Sequence, residues 1–213
     1  MTYEEFVEFL YQRHEDDKEW YFAEGFMPPE LNSETQVLFA TQIFKNAEAY
    51  AKTFTERQFC LGLNYLINPA ASWHCYSYLE SSVDEAVRLS VFDSMYDVFS
   101  LVFDQRCRET VSNRADLPSA TYSYMCYMWW DVFPRHGIPF ESYLQETDRT
   151  IQSLLARLLT LESVACKESA LHGLGHWHAA FSDFVEETIA RASLQIPESL
   201  KEYAKRAGTG DVQ

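Results

Sequence analysis

Glu168, His172 and His176 recur at i, i+4 and i+8 in the segment Glu168-Ser-Ala-Leu-His-Gly-Leu-Gly-His-Trp. On a helix this spacing places one carboxylate and two imidazoles along a single face. Two histidines one turn apart can share a divalent metal, and Glu168 would supply an anionic third ligand. The segment lacks the adjacent general-base glutamate of an HExxH helix, so the zinc-protease arrangement is not present. Asp183 and His178 are further candidates to complete a metal shell. The competing structural account has His172 and His176 bonding to neighbouring backbone, with Gly173 and Gly175 admitting a close helix approach.

A second group of chemistry-bearing residues is acidic. Asp93, Asp97 and Asp104, with Ser100 between them, share one face of a helix whose opposite face is apolar, and Glu15, Asp16 and Asp17 form another cluster. Such faces are either solvated or serve to dock a basic partner, where charge complementarity raises association rate and specificity. The aromatic run Tyr122, Tyr124, Tyr127, Trp129, Trp130 and Phe133 is dense enough to build a core, line a small-ligand pocket with Trp177, or present an interface. Adjacent tryptophans point about 100° apart on a helix, so Trp129-Trp130-Asp131 is expected to expose one indole or cover a cleft with His136. The partner-binding set expected from these patterns is Asp93, Asp97, Asp104, Trp129, Trp130 and Asp131.

The elements that must position these groups are legible from capping and periodicity. Thr2 with Glu5, Ser33 with Gln36, Thr55 with Gln58 and Ser82 with Glu85 form capping-box pairs, which predict helices over 3–18, 34–53, 56–67 and 83–107. In the last of these Val87, Val91, Met95, Val98 and Val102 form a stripe that Phe92, Phe99 and Phe103 widen. A helix from Ser119 to Val132, apolar around most of its circumference, is the expected central core element. Helices over 140–161, 166–180 and 183–194 follow, then a short one beginning at Pro197.

Seven glycines and seven prolines in 213 residues, with 47% apolar and 15% aromatic content, favour helices over turn-rich β architecture. No linker divides the chain. One all-α domain of about eight helices, packed as antiparallel hairpins over residues 1–207 with a flexible tail at 208–213, is expected.

Thirty-two acidic against seventeen basic residues give a net charge of −15, which argues against nucleic acid or anionic lipid as a ligand. The five cysteines are dispersed without a CxxC pair, as in reduced proteins, and no catalytic thiol stands out. The acidic N-terminal stretch lacks the basic n-region of a signal peptide, no apolar run reaches 18 residues, and a cytoplasmic location is expected. Phosphate loops, GxSxG elbows and dinucleotide fingerprints are absent, and no cofactor is called for by any motif.

The stretch from Glu168 to Trp177, followed by Phe184-Val-Glu-Glu-Thr-Ile-Ala-Arg-Ala, resembles a repeat of the HEAT-type helical family, with a fainter echo at Gln58-Phe-Cys-Leu-Gly-Leu-Asn-Tyr-Leu-Ile. The resemblance covers about a quarter of the chain, and the repeat period is not maintained through 70–160. It implies α-solenoid-like hairpins in part and a macromolecular partner instead of catalysis. The expected function is a non-catalytic binding module, an acidic inhibitor or immunity-type protein that docks a basic partner such as a nuclease toxin. The alternative is a metal-binding helical protein or metal-dependent enzyme using Glu168, His172 and His176.

Overall fold

The computed structural model describes residues 1–14, 18–107, 120–137 and 141–212, and every regular element among them is helical. Tyr3–Tyr11 (α1) and Glu56–Ile67 (α4) start at full capping boxes on Thr2 and Thr55. Ser33–Lys45 (α2) and Ala47–Thr53 (α3) are separated at Asn46, whose side-chain amide donates to the Gln42 carbonyl and competes with the helix. Glu85–Val98 (α5) passes through a π turn, Phe99–Phe103, into the short Asp104–Arg106 (α6). Tyr122–Val132 (α7), Gln145–Leu158 (α8), Val164–Arg191 (α9) and Lys201–Ala207 (α10) complete the chain.

Three expectations are corrected here. The caps at Ser33 and Ser82 are displaced to Asn32 and Asp84, whose carboxyl or amide oxygens reach the orphan N–H groups directly. The first helix stops at Tyr11, and beyond it the Arg13 guanidinium lies over the Trp20 ring, 4.1 Å from its centroid. The segment 208–212 is not a loose tail, because Val212 is 1% exposed and packs on Gly175. The acidic cluster at 15–17 and the expected helix starts at 119 and 140 lie outside the described residues.

The packing order is α1 on α4, α4 on α7, α2 on α5, α5 on α8, and α8, α7 and α10 on α9. One continuous apolar core runs through all of these. Within it α7 is central, as its all-round apolar sequence requires. Trp129 meets Phe44, Phe99 and Phe103, and Trp130 stacks on Phe99. Trp73, by contrast, stands 82% exposed on the rim of a cleft of about 560 Å³ shared with Tyr21, Phe26, Tyr65 and Tyr76.

A straight helix as long as the 28 residues of α9 would hold its ends about 40 Å apart. Instead Lys167 Nζ donates to the Gln195 carbonyl at 2.9 Å, so the second half returns beside the first. The reversal falls at Phe181, with φ −143° and ψ 54°. The helical hairpin expected at 166–194 is therefore present. Among the described residues no helix is long and apolar enough to cross a membrane.

Candidate metal centre

Three side chains converge where α7 ends against the first half of α9. His172 Nε2 lies 3.0 Å from Asp131 Oδ2, and His176 Nε2 lies 3.1 Å from Asp131 Oδ1. The two imidazoles meet edge to face, with their Nε2 atoms 3.1 Å apart. One ligand atom from each of Asp131, His172 and His176 falls within 4.8 Å of the others. The burial is graded, with the side chain of His172 1% exposed, that of His176 19% and that of Asp131 24%. One flank of the cluster is therefore sealed by the core and the other faces solvent.

The backbone that creates this convergence follows from small residues and one proline. Gly173 faces Trp130 and Leu155, and a Cβ there would sit 2.8 Å from Trp130 Cγ and 2.6 Å from Leu155 Cδ2. Only glycine lets α9 come this near to α7, one residue from His172 on one side and from Asp131 on the other. Ser169 Oγ adds a link by donating to the Cys126 carbonyl. At the end of α7, the helical partner of the Trp130 carbonyl would be the N–H of residue 134, which is Pro134 and has none. His136 Nε2 fills that vacancy at 2.8 Å, and its ring stacks on His176 at 4.7 Å. Arg135, between them in sequence, is held by both oxygens of Asp148 at 2.7 and 2.8 Å, which anchors the turn to α8.

The ring nitrogen of His172 remote from the cluster is also engaged. Its Nδ1 lies 2.6 Å from Tyr203 Oη on α10 and 3.0 Å from Tyr127 Oη on α7, and the two hydroxyls are 2.9 Å apart. A metal-ligating histidine ordinarily commits its second nitrogen to such a partner, which fixes the ring orientation.

Burial pushes the Asp131 carboxyl upward, yet the two imidazoles beside it outweigh that effect and hold it well below the usual carboxylate range. It is an anion at neutral pH. Burial pulls His136 below the ordinary imidazole value, partly offset by its bond to the Trp130 carbonyl.

With Asp131 ionised, no protonation pattern of the two imidazoles satisfies all three short contacts at once. If each imidazole carries an Nε2 proton aimed at the carboxylate, the two N–H groups crowd one another across 3.1 Å. If one ring is deprotonated at Nε2, its lone pair faces an anionic oxygen. Asp131 Oδ2 indeed makes no aligned hydrogen bond despite its nearness to His172. A divalent ion held between them would remove the conflict, since two ligands about 2.1 Å from a metal at 90–110° lie about 3.0–3.4 Å from each other.

The predicted site residues are therefore redistributed. His172 and His176 do come together, but through side chains and not through bonds to neighbouring backbone. Glu168 is fully buried one turn earlier and is not part of the cluster. Asp131, assigned from the sequence to a partner surface, takes its place; the signal was its position beside the core indoles at the end of an apolar helix. Asp183 is exposed beyond the break in α9, and His178 turns to Gly210 and Glu186. Trp129, Trp130 and Trp177 are at most 1% exposed, so none of them forms a binding surface or pocket wall. Asp93 is exposed and Asp97 half-buried, while the π turn rotates Asp104 out of their stripe, where it accepts from the Ser163 N–H at 2.6 Å.

Comparison of the chain with protein-family models, curated proteins and solved structures gives no match, so the geometry of this site stands alone as the functional evidence.

Proposed function

We propose that the protein binds one divalent transition-metal ion through Asp131, His172 and His176, at a centre with coordination positions open to water or substrate. The observation that carries this is the 3.1 Å approach of the two Nε2 atoms across one carboxylate. Three protein ligands with a solvent-facing flank are the pattern of reactive metal sites, whereas structural zinc sites close with four. Two imidazoles and a carboxylate suit zinc, iron(II), manganese or cobalt. An ion held there would lower the pKa of bound water or polarise a bound oxygen. Titration with cobalt(II) tests the proposal, because its visible absorption reports both stoichiometry and coordination number. One equivalent bound with a four- to six-coordinate spectrum supports it, and the absence of saturable binding overturns it.

The net charge of −15 and the exposed Asp93 support a second reading, in which the acidic surface docks a basic protein. The HEAT-type resemblance of the α9 hairpin favours the same role. Binding to a basic nuclease that weakens with salt and with Asp93→Lys would support it. Salt-independent or absent binding would overturn it.

A further inference from the structure

Two tyrosine hydroxyls stand behind His172, on the side of the ring away from Asp131. His172 is 1% exposed, so its Nδ1 has no access to bulk water and depends on protein partners. Two hydroxyls serve that one nitrogen, from elements as distant in sequence as α7 and α10, and they also bond to each other. A hydroxyl both donates and accepts, so the triangle can run in either sense.

We propose that Tyr127 and Tyr203 are positioning residues that let His172 exchange one ring tautomer for the other as a metal enters, a proposal that rests on the metal-binding reading above. Without metal, the ring carries its proton on Nε2, directed at Asp131, and Nδ1 accepts from Tyr203, which accepts from Tyr127. When an ion takes the Nε2 lone pair, that proton leaves to solvent. Nδ1 takes up one proton in exchange through half-buried Tyr203, and the hydroxyls reverse so that Nδ1–H donates. The ring remains neutral throughout. A fixed acceptor such as a backbone carbonyl would suit only the loaded state, and a fixed donor only the free one.

Because either hydroxyl reaches Nδ1, each can substitute for the other. Tyr127→Phe and Tyr203→Phe are each expected to weaken zinc binding by less than about tenfold, and the double variant by about 10- to 100-fold, the range for loss of a ligand's supporting hydrogen bond. Both affinities are measured by competition with a chromophoric chelator, alongside circular dichroism of the metal-free proteins. A double variant that keeps its helical spectrum and binds zinc within twofold of wild type overturns the proposal. Should that variant fail to fold, nitrogen-15 spectra of His172 in the wild-type protein decide. Protonated Nε2 without zinc and protonated Nδ1 with zinc is the expected result, and an unchanged tautomer overturns it. Wild-type protein that takes no zinc at all overturns the metal-binding reading itself.

Discussion

Gly173 lies against the indole of Trp130 with no room for another carbon, since a Cβ would approach Trp130 Cγ to 2.8 Å. These two residues set the spacing between the helices that carry Asp131 and His172. Gly173→Ala is expected to destabilise the fold by about 1–3 kcal/mol, the usual range for overpacking a tight core. It should also weaken metal binding more than a change of equal stability elsewhere. Chemical denaturation and zinc titration of the same preparation check both effects.

The three proposed ligands can be separated from their neighbour Glu168 by single substitutions. Asp131→Asn and His176→Ala are expected to abolish stoichiometric zinc while leaving the helical spectrum intact, since both side chains are partly exposed. Glu168→Gln is expected to keep one equivalent of zinc. Elemental analysis after dialysis distinguishes these, and zinc loss in the Glu168 variant would move the centre one turn along α9.

Metal binding should itself be acid-sensitive, because the imidazoles must shed protons before they can ligate. The apparent zinc affinity is expected to fall steadily as acid is added, because protons compete with the ion for the same imidazole and carboxylate lone pairs. Excess zinc should raise the melting temperature at pH 7.5 and have little effect at pH 5, a difference that thermal melts in paired buffers would show.

A separate acid response belongs to His74. This ring is 5% exposed, stacks on Phe6 at 5.5 Å, and is pulled by burial from 6.5 to about 4. The unfolded chain therefore binds a proton more readily than the folded one. The stability from keeping His74 neutral is complete above about pH 6.5 and is lost as pH falls to about 4, on the order of 3 kcal/mol in all. His74→Gln, which keeps a donor for the Gln36 carbonyl, should be less stable at pH 7 but flatter across that window. Denaturation midpoints at several pH values give the slope.

The docking of Val212 offers a fifth test. Val212 fills the space that a side chain at Gly175 would need, with Cγ1 2.2 Å from an added Cβ. Truncation after residue 207 is expected to lower stability by about 1.5–3 kcal/mol, the value of a buried valine, with a further contribution from freeing α10. A melting temperature unchanged by truncation would contradict that docking.

Much of the fold was open to sequence reasoning because it is governed by local signals. The boxes at Thr2 and Thr55 fix two helix starts, and the stripe from Val91 to Val102 is buried as its period requires. Where two capping side chains compete within one or two positions, spacing does not choose between them: Asn32 and Asp84 take the caps expected at Ser33 and Ser82. The π turn could not be read from composition, and Asp104, which follows it, faces the Ser163 N–H. In the site, the pair His172 and His176 was visible because both lie on one helix. Asp131 was not, because its contact depends on how two helices cross, and helical spacing speaks only for its own element. Glu168 obeyed the spacing rule and still fell outside, being carried one turn deeper into the core.

The exposure of Trp73 has a spectroscopic consequence. Four of the five tryptophans are at most 7% exposed, so a single indole at 82% supplies the water-relaxed emission and is the one open to collisional quenchers. Replacing it by phenylalanine leaves a fluorophore set enclosed by protein. Trp130 is then one residue from Asp131, close enough for a paramagnetic ion at the cluster to darken its emission. The variant would turn occupancy of the centre into an optical signal without any added label.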